Sequence, residues 1–335
     1  MENQQESALT GKELRKLEHT ARKPIDYVIS LLPIVALIIH MIEYLNVVNA
    51  GRNQSTNIYL VFLSVMLAAL ILWFVIGIFH EKTGDKLRYK APFYTALALF
   101  LLVYDVLTLK TGILRLPYFP WVDRVLNAMI EDRVKLWDCL VHSLILLFTG
   151  YFGGVFVGLL CGICAGWSQK VSYWVEPVAR VLGAIPATTY MPIVMMLAAS
   201  LFGGAAFLIG LGVWFPVTVS SMTGVSTVRK QYYEAARTLG TKQAGLLLRV
   251  AIPMSMPNIF GGLTQGMSVA CLTLVVAEMM GVEAGLGWYI NWQKGWAEFA
   301  KMYGAIILIC ITFIAVNTLL GAVRAHVLRW QKGNI

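Results

Sequence analysis

The sequence predicts an all-α integral membrane protein with about eight transmembrane helices and both termini in the cytoplasm. Three observations carry this. Apolar residues make up 58% of the 335 and charged residues 13%, where a soluble domain holds roughly 45–50% and about 25%. Apolar runs recur from residue 25 to residue 326, each near the ~20 residues with which a helix crosses the hydrocarbon layer. Period-two alternation over segments of about 10 residues, the mark of a membrane β-barrel, is absent. The net charge of +9 does not indicate nucleic acid, because the cations sit at the ends of apolar runs, where they set topology.

The eight spans are read at 25–47, 58–79, 91–109, 139–167, 184–202, 204–222, 256–280 and 304–326. Residues 1–24 form a basic cytoplasmic segment. Within it Thr10 and Glu13 have capping-box spacing and Leu9 and Leu14 suit a hydrophobic staple, so the segment suits either a helix lying on anionic lipid or a solvated tail that sets topology. The run after Pro24 is too long for the apolar core of a cleavable signal peptide, so none is expected. With the first span leaving the cytoplasm, 19 of the 27 Lys and Arg fall inside and 8 outside, which favours that orientation. The outer segment 110–136 carries five of the eight. The fifth and sixth spans, parted only near Gly203, are expected to form a tight hairpin. Cys161 and Cys164 form a CxxC inside a span, with no histidine or second pair nearby, so all five cysteines are read as packing residues and no metal site is expected.

The fourth span carries Gly150, Gly154, Gly158, Gly162 and Gly166. That spacing clears one helix face for a second backbone, either as a fixed packing face or as a seam along which helices slide. Gly262 and Gly266 repeat it in the seventh span.

Between the sixth and seventh spans runs a polar segment, Ser226 to Pro253. Ser226 or Thr227 suits a helix start, residues 228–239 favour helix, Gly240 suits the left-handed position that ends one, and Thr241 suits a second start. This predicts a helix–glycine–helix elbow, apolar on one side through Ala235, Ala236, Leu239, Leu246 and Leu247. An exposed elbow between two spans is suited to a groove on a soluble partner.

Glu234-Ala235-Ala236, three residues, Gly240, nine residues and Val250-Ala251-Ile252-Pro253 resemble the EAA loop of bacterial ABC importer permeases. Pro216 in Trp214-Phe215-Pro216, Ala277-Glu278-Met279-Met280-Gly281, Gly285-Leu286-Gly287-Trp288 and Arg329-Trp330 resemble the sulfonate, taurine, nitrate and bicarbonate branch. The resemblance runs from about residue 91 to the end. It implies a type I importer core of six helices at 91–335, with the coupling loop at 226–253, and leaves 25–90 as two extra helices. It implies a mechanism in which the elbow seats in a cytoplasmic ATPase subunit. Glu234, Ala235, Ala236, Leu239, Gly240 and Pro253 are then the coupling residues. A substrate-binding protein outside delivers a small solute, and the chain pairs with a second copy. The sequence departs at Gly183-Ala184-Ile185-Pro186, where relatives often read Arg-x-Ile-Pro; Arg180 lies one turn earlier.

The chain holds no G-x-x-x-x-G-K-[ST] stretch, so ATP and magnesium are expected on the partner ATPase and no cofactor or catalytic residue on this chain. Polar residues inside spans are the candidate pathway: Thr188, Thr189, Tyr190, Ser220, Ser221, Asn258, Gln265, Ser268 and Glu278. Asp105 and His142 suit a gate pair. The competing readings are an ATPase-independent secondary transporter or channel, which would use acids such as Asp105 and Glu278 in an ion relay, and a membrane scaffold.

Overall fold

The computed structural model describes residues 24–51 and 53–330; of the basic segment read at 1–24, residues 1–23 lie outside them. Among the described residues there is no strand, and seven helices are long and apolar enough to cross a membrane. The chain divides by packing into two compact units, ending and beginning at Asn127 and Ala128.

The first unit holds α1 (Pro24–Asn46), α2 (Asn57–Phe79) and α3 (Glu81–Asp105), followed by a π turn at Val106–Lys110. Leu37, Tyr44, Tyr59, Leu63, Leu109 and Trp121 form its core. The third span is expected from residue 91, after a loop at 80–90; instead the only non-helical residue is His80. The α2–α3 turn is tight because Gly77 and Gly84 touch: a Cβ on Gly77 would meet the Gly84 Cα at 2.9 Å. By packing, α3 goes with α1 and α2. Thr56 caps α2, and the buried Asp123 carboxylate accepts from the Thr56 and Tyr59 amides at 2.7 and 3.1 Å. An anion there satisfies free amides at the positive end of the helix. The unit boundary falls within α4 (Val122–Glu131).

The second unit comprises α5 (Arg133–Trp167), α6 (Gln169–Ala184), a 3-10 turn at Ala187–Tyr190, α7 (Met191–Leu197), α8 (Leu201–Ser226), α9 (Lys230–Thr238), α10 (Gln243–Leu246), a π turn at Leu247–Ala251, α11 (Ile252–Met280), α12 (Leu286–Gly295) and α13 (Phe299–Val327). Its core is built where α5, α8 and α11 meet, from Leu146, Leu147, Leu208, Val213, Met267 and Leu274. A further cluster joins α5, α12 and α13 through Leu136, Tyr289 and Ile309.

The glycine face of α5 lies on α8. A Cβ on Gly150 would meet Ile209 at 2.6 Å, on Gly154 the Gly210 carbonyl at 2.4 Å, on Gly158 Val217 at 3.0 Å, on Gly162 the Thr218 carbonyl at 2.5 Å, and on Gly166 the Met222 carbonyl at 2.7 Å. The two numberings rise together, so α5 and α8 are parallel. Parallel neighbours require the chain between them to return. From Gly150 to Gly166 is about 24 Å of helix at 1.5 Å per residue, and residues 168–200 must cover that span.

They do so with a broken element. The expected straight helix at 184–202 is absent; α6 and the segment Ala187–Leu197 bend by 84°. The break sits at Ile185-Pro186, where Ile185 is extended (φ −106°, ψ 122°). Proline disfavours the helical region for the residue before it. The hairpin expected at Gly203 is also displaced. Gly203 is inside α8, whose start is capped by the Ser200 hydroxyl accepting from the Gly203 amide at 3.1 Å. The reversal lies at Ala198–Ser200.

By contrast α8 and α11 are antiparallel: Gly224 faces Ser255 and Asn258, Gly262 faces Ser220, and Gly212 faces Val269 and Thr273. The segment between them therefore lies at one end of the bundle, beside the end of α5.

Candidate coupling elbow and transport face

The elbow has the form that the sequence anticipates, with different caps. Ser226 and Thr227 donate their hydroxyls back to the Thr223 carbonyl at 3.2 and 2.8 Å, closing α8 rather than opening α9. Arg229 is the N-cap of α9, without a side-chain bond. The left-handed stop is at Gly240, with φ +79°. The Gly240 amide donates to Arg237 O at 2.9 Å and the Thr241 amide to Ala236 O at 3.1 Å. This pair of bonds is the Schellman arrangement, which satisfies the last carbonyls of a helix. Lys242, not Thr241, is the N-cap of α10.

The second arm does not stop at Pro253. It runs through the π turn into α11, one helical stretch from Gln243 to Met280. Proline cannot donate to the carbonyl four residues back and its ring crowds that carbonyl. The π turn just before Pro253, with the Ile252 amide bonded to Leu247 O, fits that requirement.

Burial separates the elbow's two sides. Leu246 is buried, and Ala236 and Leu247 are half-buried. Tyr233 stacks edge-on against Trp167 at 5.9 Å, pinning α9 to the end of α5, and burial pushes its phenol up. Glu234, Ala235 and Gly240 are exposed, and Leu239 is 86% exposed. Beneath lies an open cleft of about 520 Å³ between Gly166, Trp167, Tyr233, Glu234 and Arg237. Glu234 and Leu239 are thus both exposed on a short helix and turn flanked by two spans.

The candidate pathway residues separate into three groups. Asn258, Gln265 and Ser268 are exposed on one face of α11, at i, i+7 and i+10, and the exposed Thr189 precedes α7, with Thr188, Tyr190 and Ser220 half-buried. Ser221 faces the glycine seam and is fully buried. Glu278 is enclosed. It accepts from the Ser143 hydroxyl at 2.6 Å and from the Gly287 amide at 2.8 Å, while the Leu286 amide donates to the Ser143 oxygen at 2.9 Å. This joins α5, α11 and the positive end of α12. Gly285 serves the lock in two ways: its φ is +110°, and a Cβ there would fall on the Glu278 carboxylate. Ser143, a hydroxyl in an apolar span, is the member that the sequence reading missed; its only sequence signal was that polarity.

The other expectations resolve plainly. His142 pairs with Asp138 at 3.6 Å on the surface, and Asp105 groups with His40 and Glu43. Arg180 bonds Glu176 one turn away. A Cβ on Gly183 would fall on the Phe215 ring, which would have to move to admit a side chain. All five cysteines are free.

Ser143→Ala should lower the thermal midpoint of the detergent-purified chain by several degrees. It removes one hydrogen bond to a carboxylate and leaves the buried Leu286 amide unmet, together worth about 1–3 kcal/mol. A midpoint equal to that of the parent protein would mean that the lock holds nothing.

Comparison with known proteins places these features. The family described as "Binding-protein-dependent transport system inner membrane component" matches residues 154–333. A putative aliphatic sulfonates transport permease of Bacillus subtilis is 28% identical over 197 residues, covering 59% of this chain and 71% of the relative. A nitrate import permease of Synechococcus elongatus is 26% identical over 216 residues, covering 62% and 77%. The taurine transport permease of Escherichia coli is 28% identical over 196 residues, covering 58% and 71%. Among solved structures, an inward-facing methionine ABC transporter superposes with a TM-score of 0.50 at 17% identity, covering 59% of this chain and 97% of the other. An amino acid ABC transporter gives 0.50 at 16%, covering 61% and 97%. The chain is a multi-pass membrane protein of the binding-protein-dependent transport system inner membrane component family, an ABC importer permease of the sulfonate, nitrate and taurine branch.

Proposed function

We propose that this chain forms the translocation pathway for a small sulfonate-, taurine- or nitrate-like anion, and that it is driven through the elbow at 226–253 by a separate cytoplasmic ATPase. The observation that carries the proposal is the exposed Glu234–Gly240 turn, held rigid by the Schellman bonds and by Tyr233 on Trp167. Energy from ATP reaches a pathway only through contacts that differ between two states, and this turn is the protruding surface available for them. The relatives' substrates point to the anion class.

The pathway face is Asn258, Gln265 and Ser268 of α11, with Thr188 and Thr189 beside it. Polar groups at membrane depth face protein or water, and this chain leaves that face uncovered. A second copy would close it and would supply the second elbow that a pair of ATPase subunits needs. The functional unit is then a homodimer with two ATPase subunits, served from outside by a substrate-binding protein. The elbow and both termini face the cytoplasm, as the 19 to 8 cation count favours. Residues 25–90 carry an accessory role apart from ligand choice. An ion-relay transporter is disfavoured, because Glu278 is tied to Ser143 and Gly287 rather than free to exchange protons along a path.

Co-expression with the cognate ATPase, followed by mass measurement of the detergent complex, tests the assembly. Two copies of this chain and two of the ATPase are expected. A single copy, or uptake of the anion by vesicles containing this chain alone, would overturn it.

A further inference from the structure

The first unit encloses a group of side chains that transport does not use. His40 and Glu43 lie three residues apart on α1, on one helix face, and Asp105 ends α3. One ligand atom from each lies within 4.8 Å of the others. His40 and Asp105 are both 0% exposed. His40 Nδ1, both Glu43 carboxylate oxygens and both Asp105 carboxylate oxygens are buried without a hydrogen-bond partner. Buried carboxylates are ordinarily paired, hydrogen-bonded or bound to a metal. The nearby cation does not pair with them: Lys110 spends its three N–H donors on Tyr44 O, Val47 O and Asn49 Oδ1, at 2.8, 2.7 and 3.1 Å. On its far side the His40 ring meets the Tyr59 hydroxyl through Nε2 at 3.4 Å. With the proton on Nε2, the Nδ1 lone pair is free to ligate, and the outer bond fixes the ring as in metal-bound histidines. A π turn follows Asp105 directly, an irregularity frequent at functional sites.

We infer that His40, Glu43 and Asp105 form a binding site for one divalent transition-metal ion of the zinc class. A nitrogen with two carboxylates suits zinc and its first-row neighbours. Calcium and magnesium seek six or more oxygens. Soft ions that require thiolate are excluded, since residues 1–127 contain no cysteine. Two carboxylates and a neutral imidazole carry charge −2, which one divalent ion cancels. The inference concerns the first unit alone and does not rest on the transport reading. The metal-free expectation from sequence missed it because Asp105 lies far along the chain from the His40–Glu43 pair, and only folding brings them together.

The test is zinc content of the full chain, purified in detergent, loaded with zinc(II) and dialysed against metal-free buffer. One zinc per chain should remain above the level in Asp105→Asn. Glu43→Gln and Asp105→Asn should each weaken binding at least tenfold. Tyr59→Phe, which removes only the outer bond, should weaken it about tenfold. X-ray absorption at the zinc edge should show nitrogen and oxygen neighbours and no sulfur. Zinc should raise the melting temperature of the parent protein and leave that of Glu43→Gln unchanged, which keeps the test open if Asp105→Asn misfolds. Equal zinc in parent and variants, no retained zinc in the parent, or sulfur in the shell would overturn the site and leave the carboxyl pair sharing a proton.

Discussion

Gly240→Val should strip the ATPase from this permease while leaving the chain inserted and folded. The reasoning is local. Gly240 has φ +79°, and a Cβ there meets nothing within 4 Å. The substitution therefore acts on the backbone alone. A β-branched residue in the left-handed region costs on the order of 1–3 kcal/mol, and relief requires the turn to open. Opening breaks the bonds from Gly240 and Thr241 to Arg237 and Ala236 and moves the exposed Leu239. The bundle beneath is spared, because the Tyr233–Trp167 contact that pins α9 to α5 does not involve Gly240. A graded series sharpens the expectation: asparagine, which tolerates positive φ, should retain most ATPase binding, alanine less and valine least. Glu234→Lys attacks the same surface by charge, where a like-charge contact costs several kcal/mol. The readouts are ATPase recovered per permease and ligand-stimulated hydrolysis in liposomes. Normal values in both variants would refute the coupling role and revive an ATPase-independent transporter.

Local chemistry made the elbow legible in sequence. A glycine directly past a helix-favouring stretch has few other uses, and the turn it makes depends on residues adjacent in the chain. The long spans were legible for the same kind of reason, since length and apolarity decide them. The fifth crossing was not. Residues 184–202 are apolar enough for a straight helix, but Pro186 breaks it, and only the parallel pairing of α5 with α8 shows why the chain must still return. Competition hid the caps: Ser226 and Thr227 have two helix ends in reach, and the carbonyls of α8 win them. The role of Glu278 depended on Ser143, which precedes it by 135 residues. A polar residue in a span reads as a pathway group until its partner is known. Lys110 counted in sequence as an outer charge, yet the fold buries it among carbonyls.

The seam between α5 and α8 sets the other large effect. Gly154→Leu should prevent accumulation of the protein, and Gly153→Leu, one residue away, should not. At Gly154 the added carbon would sit 2.4 Å from the Gly210 carbonyl and 2.9 Å from its Cα. Both are backbone, so no rotamer change relieves them and the helices must part. Overpacking a core costs typically 1–3 kcal/mol even where side chains can adjust, and here the parting also opens the cluster of Leu147, Ile209 and Val213. Gly153 faces outward, with nothing within 4 Å of its Cβ, and controls for the apolar side chain itself. Gly154→Ala separates the two meanings of the glycine face. The contacts run in one register from Gly150 to Gly166, mostly against backbone, which is the arrangement of a fixed joint. Uptake by Gly154→Ala should then fall only as far as its abundance in the membrane falls. Uptake per molecule that drops well below abundance would show instead that the helices slide along this face during transport.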